Sequence, residues 1–229
     1  MNEVIAVGDT RGNFYRKAIQ FNQTTDGFTG AIFYAESIAG GANTVTVSDS
    51  ISGTLRFSIL EYSGVATSAS LDVAAAAQGS NNAPSSAPSV NTTANGDLLL
   101  GTVMTGNGQN YTAGPGYKIE ESVPGVGNAK MMVEDQVQTI SGAAIAAATI
   151  GSADDWAIGL AAFKAANGTG GTAPTITGLN PTSGVAGTSV VITGTNFGSP
   201  QGTSTVKFNG VTAAPTAWSA TSITAPVPA

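Results

Sequence analysis

Apolar and polar residues alternate in short runs along most of the chain, and clusters of Gly, Asn, Asp, Ser and Pro stand between the runs. That pattern predicts strands and turns, and the C-terminal quarter in particular has no helical period anywhere. From Val4 to Phe21 it predicts strand, turn, strand. Gly12 and Asn13 accept positive φ, and the Asp9 carboxylate can bond backbone amides two residues on, so a hairpin turn is favoured over a calcium site built on Asp9 and Asn13. Farther on, Ile32 and Tyr34 share one face, Gly40 to Asn43 make a turn, and Val45 and Val47 form the inward face of the next strand. Thr54 to Tyr62 predicts a strand with Leu55, Phe57, Ile59 and Glu61 on one side and Arg56, Ser58, Leu60 and Tyr62 on the other.

Ala74 to Val90 carries almost no large side chains, and Pro84 and Pro88 forbid regular structure there. A loop or an extended edge segment is expected, while alanine propensity alone would allow a short helix over 71–77. Strands are expected at Asp97–Met104 and Lys130–Val137, with a glycine-rich loop from Gly106 to Gly116. Ser141 to Ile150 suits helix or strand, and its place between two strands favours extended structure. Trp156 to Lys164 puts Trp156, Ile158 and Leu160 on one face and is expected to be the closing strand of a domain. Residues 165–173, rich in Gly and Thr, predict a flexible linker between a domain at 1–164 and another at 174–229.

In the last segment, Ile176 and Leu179 lead into the turn at Asn180 to Gly184, Val190 and Ile192 alternate with Val191 and Thr193, and Gly194 to Gly198 break the run. The pieces PTITGLNPTSG, GTSVVITGTNFG, VKFNGV and WSATSITAPVP resemble, in order and spacing, the IPT/TIG family of immunoglobulin-like domains. The resemblance implies a small antiparallel sandwich serving as a binding or spacer module, seldom as a catalyst. The family continues through two further strands beyond the one holding Ile223, so an incomplete sandwich is expected. In the front domain, FYAESIAGGANTVTV, ILEYSGV, GDLLLG and DWAIGLAAFK resemble a jelly-roll-like sandwich found beside immunoglobulin-like repeats in bacterial surface proteins. One or two strands that precede Val4 to Val7 in that family are missing here. Open edges are therefore expected at Val4, Ile5 and Val7 and at Ser222, Ile223 and Thr224, where a partner's strand can pair.

Composition narrows the chemistry. Only 10% of the 229 residues are charged, so the surface must be solvated by hydroxyls and amides, as in secreted β-proteins. With 14 acidic against 8 basic residues, no basic patch is available for nucleic acid or anionic membrane. His and Cys are both absent, which excludes Ser-His-Asp and Cys-His catalysis, disulfides and thiolate metal sites. No window approaches a membrane span, and no signal peptide precedes Val4, so an extracellular or cell-surface location is inferred from composition and resemblance.

Glu61, Glu120, Glu121, Glu134 and Asp135 are the carboxylates available for a glycosidase-like pair, and nothing in their spacing pairs two of them. Tyr111 and Tyr117, in the expected glycine-rich loop, are candidate sugar contacts. Asn22, Asn91, Asn110 and Asn167 are N-glycosylation sequons, placed by the pattern in turns or linkers; among 15 Asn in so Ser- and Thr-rich a chain, that number is close to chance. No cofactor or metal is expected. The function expected is a non-enzymatic subunit of an extracellular fibre or surface array, a head-to-tail homopolymer joined by strand exchange, with glycans as further partners. The alternative is a carbohydrate-binding or adhesion module of a larger secreted protein.

Overall fold

The computed structural model describes residues 3–166, 174–198, 201 and 204–229. It divides into two compact units, Met1–Gly168 and Thr169–Ala229. Every regular element among the described residues is a strand, and every pairing is antiparallel.

The first unit contains β1 (Ile5–Asp9), β2 (Tyr15–Gln23), β3 (Phe28–Ala35), β4 (Val45–Asp49), β5 (Leu71–Gly79), β6 (Val90–Asn91), β7 (Asp97–Gln109), β8 (Tyr111–Ala113), β9 (Lys118–Val123), β10 (Ala129–Gln138), β11 (Ala143–Ala144), β12 (Ala148–Ile150) and β13 (Trp156–Phe163). Its centre is a five-stranded sheet in the order β5-β13-β7-β10-β9. Both faces of this sheet are covered, which is why the apolar strand sequences run nearly continuously instead of alternating. On one face Leu99, Val103, Met132, Ile158 and Leu160 pack under the short strands β6, β8, β11 and β12, through Ala144, Ala148 and Ile150. On the other, Leu98, Ala161 and Phe163 pack beneath the β2–β3 hairpin through Ile19, Ile32 and Tyr34. Each fully buried Leu or Ile contributes about 1.5–3 kcal/mol of transfer free energy. β13 is the last strand of the unit, as expected of a closing strand, and all eight of its residues are buried, so it is also the middle of the core.

Ala74 to Gly79 belongs to β5, an edge strand hydrogen-bonded to β13 from Leu71↔Phe163 to Gly79↔Trp156, so this part of the segment is extended at an edge, as expected; the partner strand supplies order that alanine propensity would have spent on a helix. Two expectations change. β7 runs on to Gln109 and β8 follows at once, so most of the predicted loop at Gly106–Gly116 is strand. Ser141 to Ile150 is extended, in β11 and β12, as expected. Thr54 to Tyr62 forms no strand. Burial and, after it, the nearby carboxyl of Asp135 on β10, an interior strand, raise the Tyr62 hydroxyl, so the segment lies over the sheet and adds nothing to its edge.

The second unit contains β14 (Thr175–Asn180), β15 (Ser189–Thr195), β16 (Val206–Phe208), β17 (Val211–Ala213), β18 (Ala217–Trp218) and β19 (Ser222–Pro226). A four-stranded sheet, β14-β15-β19-β18, faces the β16–β17 hairpin, and Val190, Ile192, Phe197 and Ile223 make the core with Val206 and Phe208. Asn209 and Gly210 both have positive φ and close the hairpin in two residues, the geometry that matches strand twist.

Candidate interaction surface

β1 and β4 form a separate two-stranded ribbon, in register Ile5↔Asp49, Val7↔Val47 and Asp9↔Val45. β2 pairs with β3 instead, so the turn at Asp9 to Asn13 is a corner between two ribbons and the hairpin reading is corrected. The turn chemistry itself is as expected and more extensive. Asp9 Oδ1 accepts from the Arg11 and Asn13 amides, both at 3.0 Å. Oδ2 accepts from Asn13 Nδ2 at 2.6 Å, Tyr15 Oη at 3.0 Å and Asn43 Nδ2 at 2.8 Å. Burial raises the pKa of this carboxyl, but the donors from Asn43, Asn13 and Tyr15 outweigh it and hold the group well below the usual carboxylate range. Five donors leave no vacant lone pairs for calcium. Asn43 and Tyr15 were not singled out in the sequence; the Asn in a Gly-Gly-Ala-Asn loop was the available signal.

This knot fixes how the ribbon is presented. Ile5, Val7, Val45 and Val47 are only half-buried, and β1 has a second edge with no strand beside it among the described residues. Val4, just before β1, is exposed, its amide held by Ser50 Oγ. Beside the ribbon runs the extended segment that was expected to be a strand, and it keeps the expected division into two sides. Leu55, Phe57 and Ile59 face solvent, 38%, 46% and 58% exposed, while Arg56, Ser58 and Leu60 are turned inward. Ribbon and segment share a groove of about 530 Å³ in which Ile5, Ile51, Leu55 and Met104 meet Asp26, Asp49, Arg56 and Lys130. An unpaired strand edge next to a row of exposed Leu, Phe and Ile is a surface that excludes water only when something covers it.

The other candidate residues are scattered. Tyr111 and Tyr117 are half-buried and pack on the main core. Tyr111 Oη is 2.6 Å from Thr105 Oγ1, and Tyr117 Oη donates to the Ile145 carbonyl at 3.0 Å; burial pushes the Tyr111 hydroxyl up to about 12 and raises Tyr117 as well. Asn22 and Asn91 lie on β2 and β6, where turns were expected, and Asn110 lies between β7 and β8; all three are exposed. Asn167 falls outside the described residues. Of the five carboxylates, Glu134 is fully buried, Glu120 pairs with Lys118 at 2.7 Å, and Glu61 is exposed on the crossing segment. Glu134 and Asp135 are neighbours on one strand and point to opposite faces. Among the described residues no three carboxylates converge as a metal site requires.

In the second unit the expected edge at Ser222, Ile223 and Thr224 is corrected. β19 is paired along its length with β15, and Ile223 and Thr224 are paired again with Trp218 and Ala217 of β18. Removing Ser222–Ala229 therefore takes out an interior strand with Ile223 and Ala225 in its core, and would test folding instead of assembly. The free edges are β14 and β18, and β14 exposes Ile176. Trp218 Nε1 donates to the Phe197 and Gly198 carbonyls, closing the sheet over the Asn196–Gly198 bend. Residues 174–229 match the IPT/TIG domain family. The match begins at Pro174 and includes none of the first unit. No curated protein and no solved structure matches the chain. The IPT/TIG unit is an immunoglobulin-like β-sandwich, a non-catalytic kind of module used in adhesion or interaction.

Proposed function

We propose that this chain is a non-enzymatic structural subunit of an extracellular or cell-surface array, and that copies of it join through the β1 edge and the stripe Leu55-Phe57-Ile59. The observation that carries the reading is the stripe, an ordered apolar row on an extended segment with an unpaired strand edge at its side. Strand addition supplies main-chain hydrogen bonds at β1, and the stripe supplies apolar burial. Repetition of a contact between unlike faces makes an open polymer. The IPT/TIG unit supports an interaction role and serves here as the spacer.

The test is electron microscopy and sedimentation velocity of the purified chain beside a Phe57→Asp, Ile59→Asp double variant. Filaments or a concentration-dependent series of oligomers are expected for the native sequence, and monomers with an unchanged melting temperature for the variant. A native chain that stays monomeric at every concentration defeats the proposal, as do variant polymers indistinguishable from native ones. In the monomeric case carbohydrate binding becomes the reading to test, by glycan-array screening of the native chain.

A further inference from the structure

Asp97, the first residue of β7, is fully buried, and neither of its carboxyl oxygens accepts a hydrogen bond from any N–H or hydroxyl of the described residues. β13 lies between β5 and β7, so Asp72 on β5, Lys164 just past β13 and Asp97 meet at one end of the sheet. Lys164 Nζ is 3.6 Å from Asp72 Oδ1, with the Asp72 side chain 3% exposed. The register pairs Phe163 with Leu71 on one side and with Leu98 on the other, so Asp72 and Asp97 come together beside Lys164, and each carboxyl acts on the other's proton affinity. Asp72 is gripped from a third side by Thr93, whose amide donates to Oδ2 and whose hydroxyl donates to Oδ1, both at 2.5 Å.

An ordinary ion pair needs only Lys164 and Asp72, and it leaves a second buried carboxyl at a desolvation cost with no return. What the arrangement does resemble chemically is an amine at the rim of the sheet set against an electrophilic carbon and an acid that are both held out of water. We propose that Lys164 and Asp72 are joined by an intramolecular amide bond, closed with Asp97 as the group that moves the protons. This inference is independent of the proposed assembly.

The steps balance without any other reactant. Asp97 passes its proton to the Asp72 carboxylate and takes one from the Lys164 ammonium, leaving a free amine beside a neutral acid. The Nζ lone pair attacks Asp72 Cγ, forming the C–N bond while the C=O pair moves onto the oxygen that faces the Thr93 amide, which acts as an oxyanion donor. Asp97 then takes a proton from the nitrogen and gives one to the hydroxyl, the C–O bond breaks, and water leaves. Ammonium plus carboxylate become amide plus water, and Asp97 ends as it began. Burial, and after it the charge of Asp72, push Asp97 up to about 6, in the range where a carboxyl both gives and accepts protons. Fixed proximity of this kind is worth effective molarities on the order of 10⁵–10⁸ M, which offsets the usual preference for hydrolysis. The product would tie edge strand β5 to the last residue before the linker, so that tension arriving at Lys164 reaches β5 through a covalent bond.

Intact mass of the denatured full chain decides the matter. A mass one water below that of the sequence is expected, together with a branched tryptic peptide joining the segments around Asp72 and Lys164. Lys164→Arg and Asp72→Ala should each restore the full mass, and so should Asp97→Asn, which keeps the shape of the site. Full sequence mass for the native chain, with trypsin cutting after Lys164, overturns the proposal; because it is read on the native protein, it does not depend on any variant folding. An Asp97→Asn chain still lighter by one water overturns the role given to Asp97.

Discussion

Replacing Gly159 with alanine is expected to destabilise the first unit by about 3 kcal/mol, the upper part of the usual overpacking range. Gly159 sits in the middle of β13, and a Cβ there would lie within 3.0 Å of three atoms of the Phe21 ring. The ring is held from its other side as well. A Cβ on Gly30, the residue paired with Phe21 in the β2–β3 hairpin, would be 2.6 Å from the same ring and 2.7 Å from Met104 Sδ. Phe21 is 6% exposed and fills a slot made by two glycines, so it has nowhere to move. At about 2–4 °C per kcal/mol for a unit of this size, the melting temperature should fall by roughly 6–12 °C. Phe21→Ala alone should cost about 3–5 kcal/mol, and the double variant clearly less than the sum, since each change relieves the other. Gly8→Ala is the control, because a Cβ on Gly8 meets nothing within 4 Å; its effect should stay within about 0.5 kcal/mol. Additive losses in the double variant would refute the slot.

The second large effect is a loss of stability as pH rises from 5 to 8, most of it removed by Glu134→Gln. Glu134 on β10 is fully buried opposite Gly101, whose missing side chain leaves room for the carboxyl under Ala146. Burial pushes it up to about 7, and the amides of Gly114, 3.0 Å from Oε2, and of Ala147 offset this only in part. The sign follows from the direction of that shift. Below the ordinary value of 4.5 the group is protonated in both states and costs nothing. Between 4.5 and about 7 the unfolded chain ionises while the folded one keeps its proton, so each pH step favours unfolding, and above about 7 the cost is constant. The full cost is about 3 kcal/mol, at 1.36 kcal/mol for each pKa unit between 4.5 and about 7. Thermal melts across this range should show the native chain weakening up to about pH 7 and the Gln variant losing only the part that Asp97 contributes below about pH 6, so that the variant is more stable than native at pH 8 and not at pH 4.5. Equal slopes in the two proteins would assign the effect elsewhere. At acid pH the order reverses: Asp9, Glu36 and Asp154 are held below their ordinary values by hydrogen bonds that outweigh burial, and their stabilisation is lost as pH falls through that lower range.

The strands of both units were legible wherever alternation or a continuous apolar run met turn residues, as at Asp97–Met104, Lys130–Val137 and Val190–Thr193. The IPT/TIG unit was legible in greater detail because its turns carry the pattern, although the Asn209-Gly210 pair inside VKFNGV was not read as the hairpin turn it makes. Pairing was not legible. The Asp9 turn has the same chemistry whether its strands return on each other or diverge, and only the distant β4 decides that β1 goes with it. The stripe at 55–59 was visible as alternation, but alternation does not say which side is covered, and here the covered side is Arg56, Ser58 and Leu60. Tyr111 and Tyr117 were read into a loop because glycines crowd around them. Gly108 and Gly114 instead lack side chains because Asn128 and the Ala147 carbonyl approach β7 and β8 closely, and a glycine inside a strand is a sign of such approach. Asp97 and Lys164, at the ends of LLLG and AAF runs, were passed over as strand boundaries; a charged residue flanking a continuous apolar run was the signal that they are drawn toward the core.

The central position of β13 also sets an order of events in synthesis. β5 and β7 are neighbours of β13 and not of each other, so the sheet has a gap until the last strand of the unit is made. β13 begins 77 residues after β5 ends (156 − 79), which at about 5–20 residues per second is roughly 4–15 s of translation. During that interval β5 and β7 have no partner for the edges that will face β13. The run of four alanines in β5 then has a use that the finished fold does not reveal: small side chains with little β-propensity make a waiting edge that recruits few wrong strands.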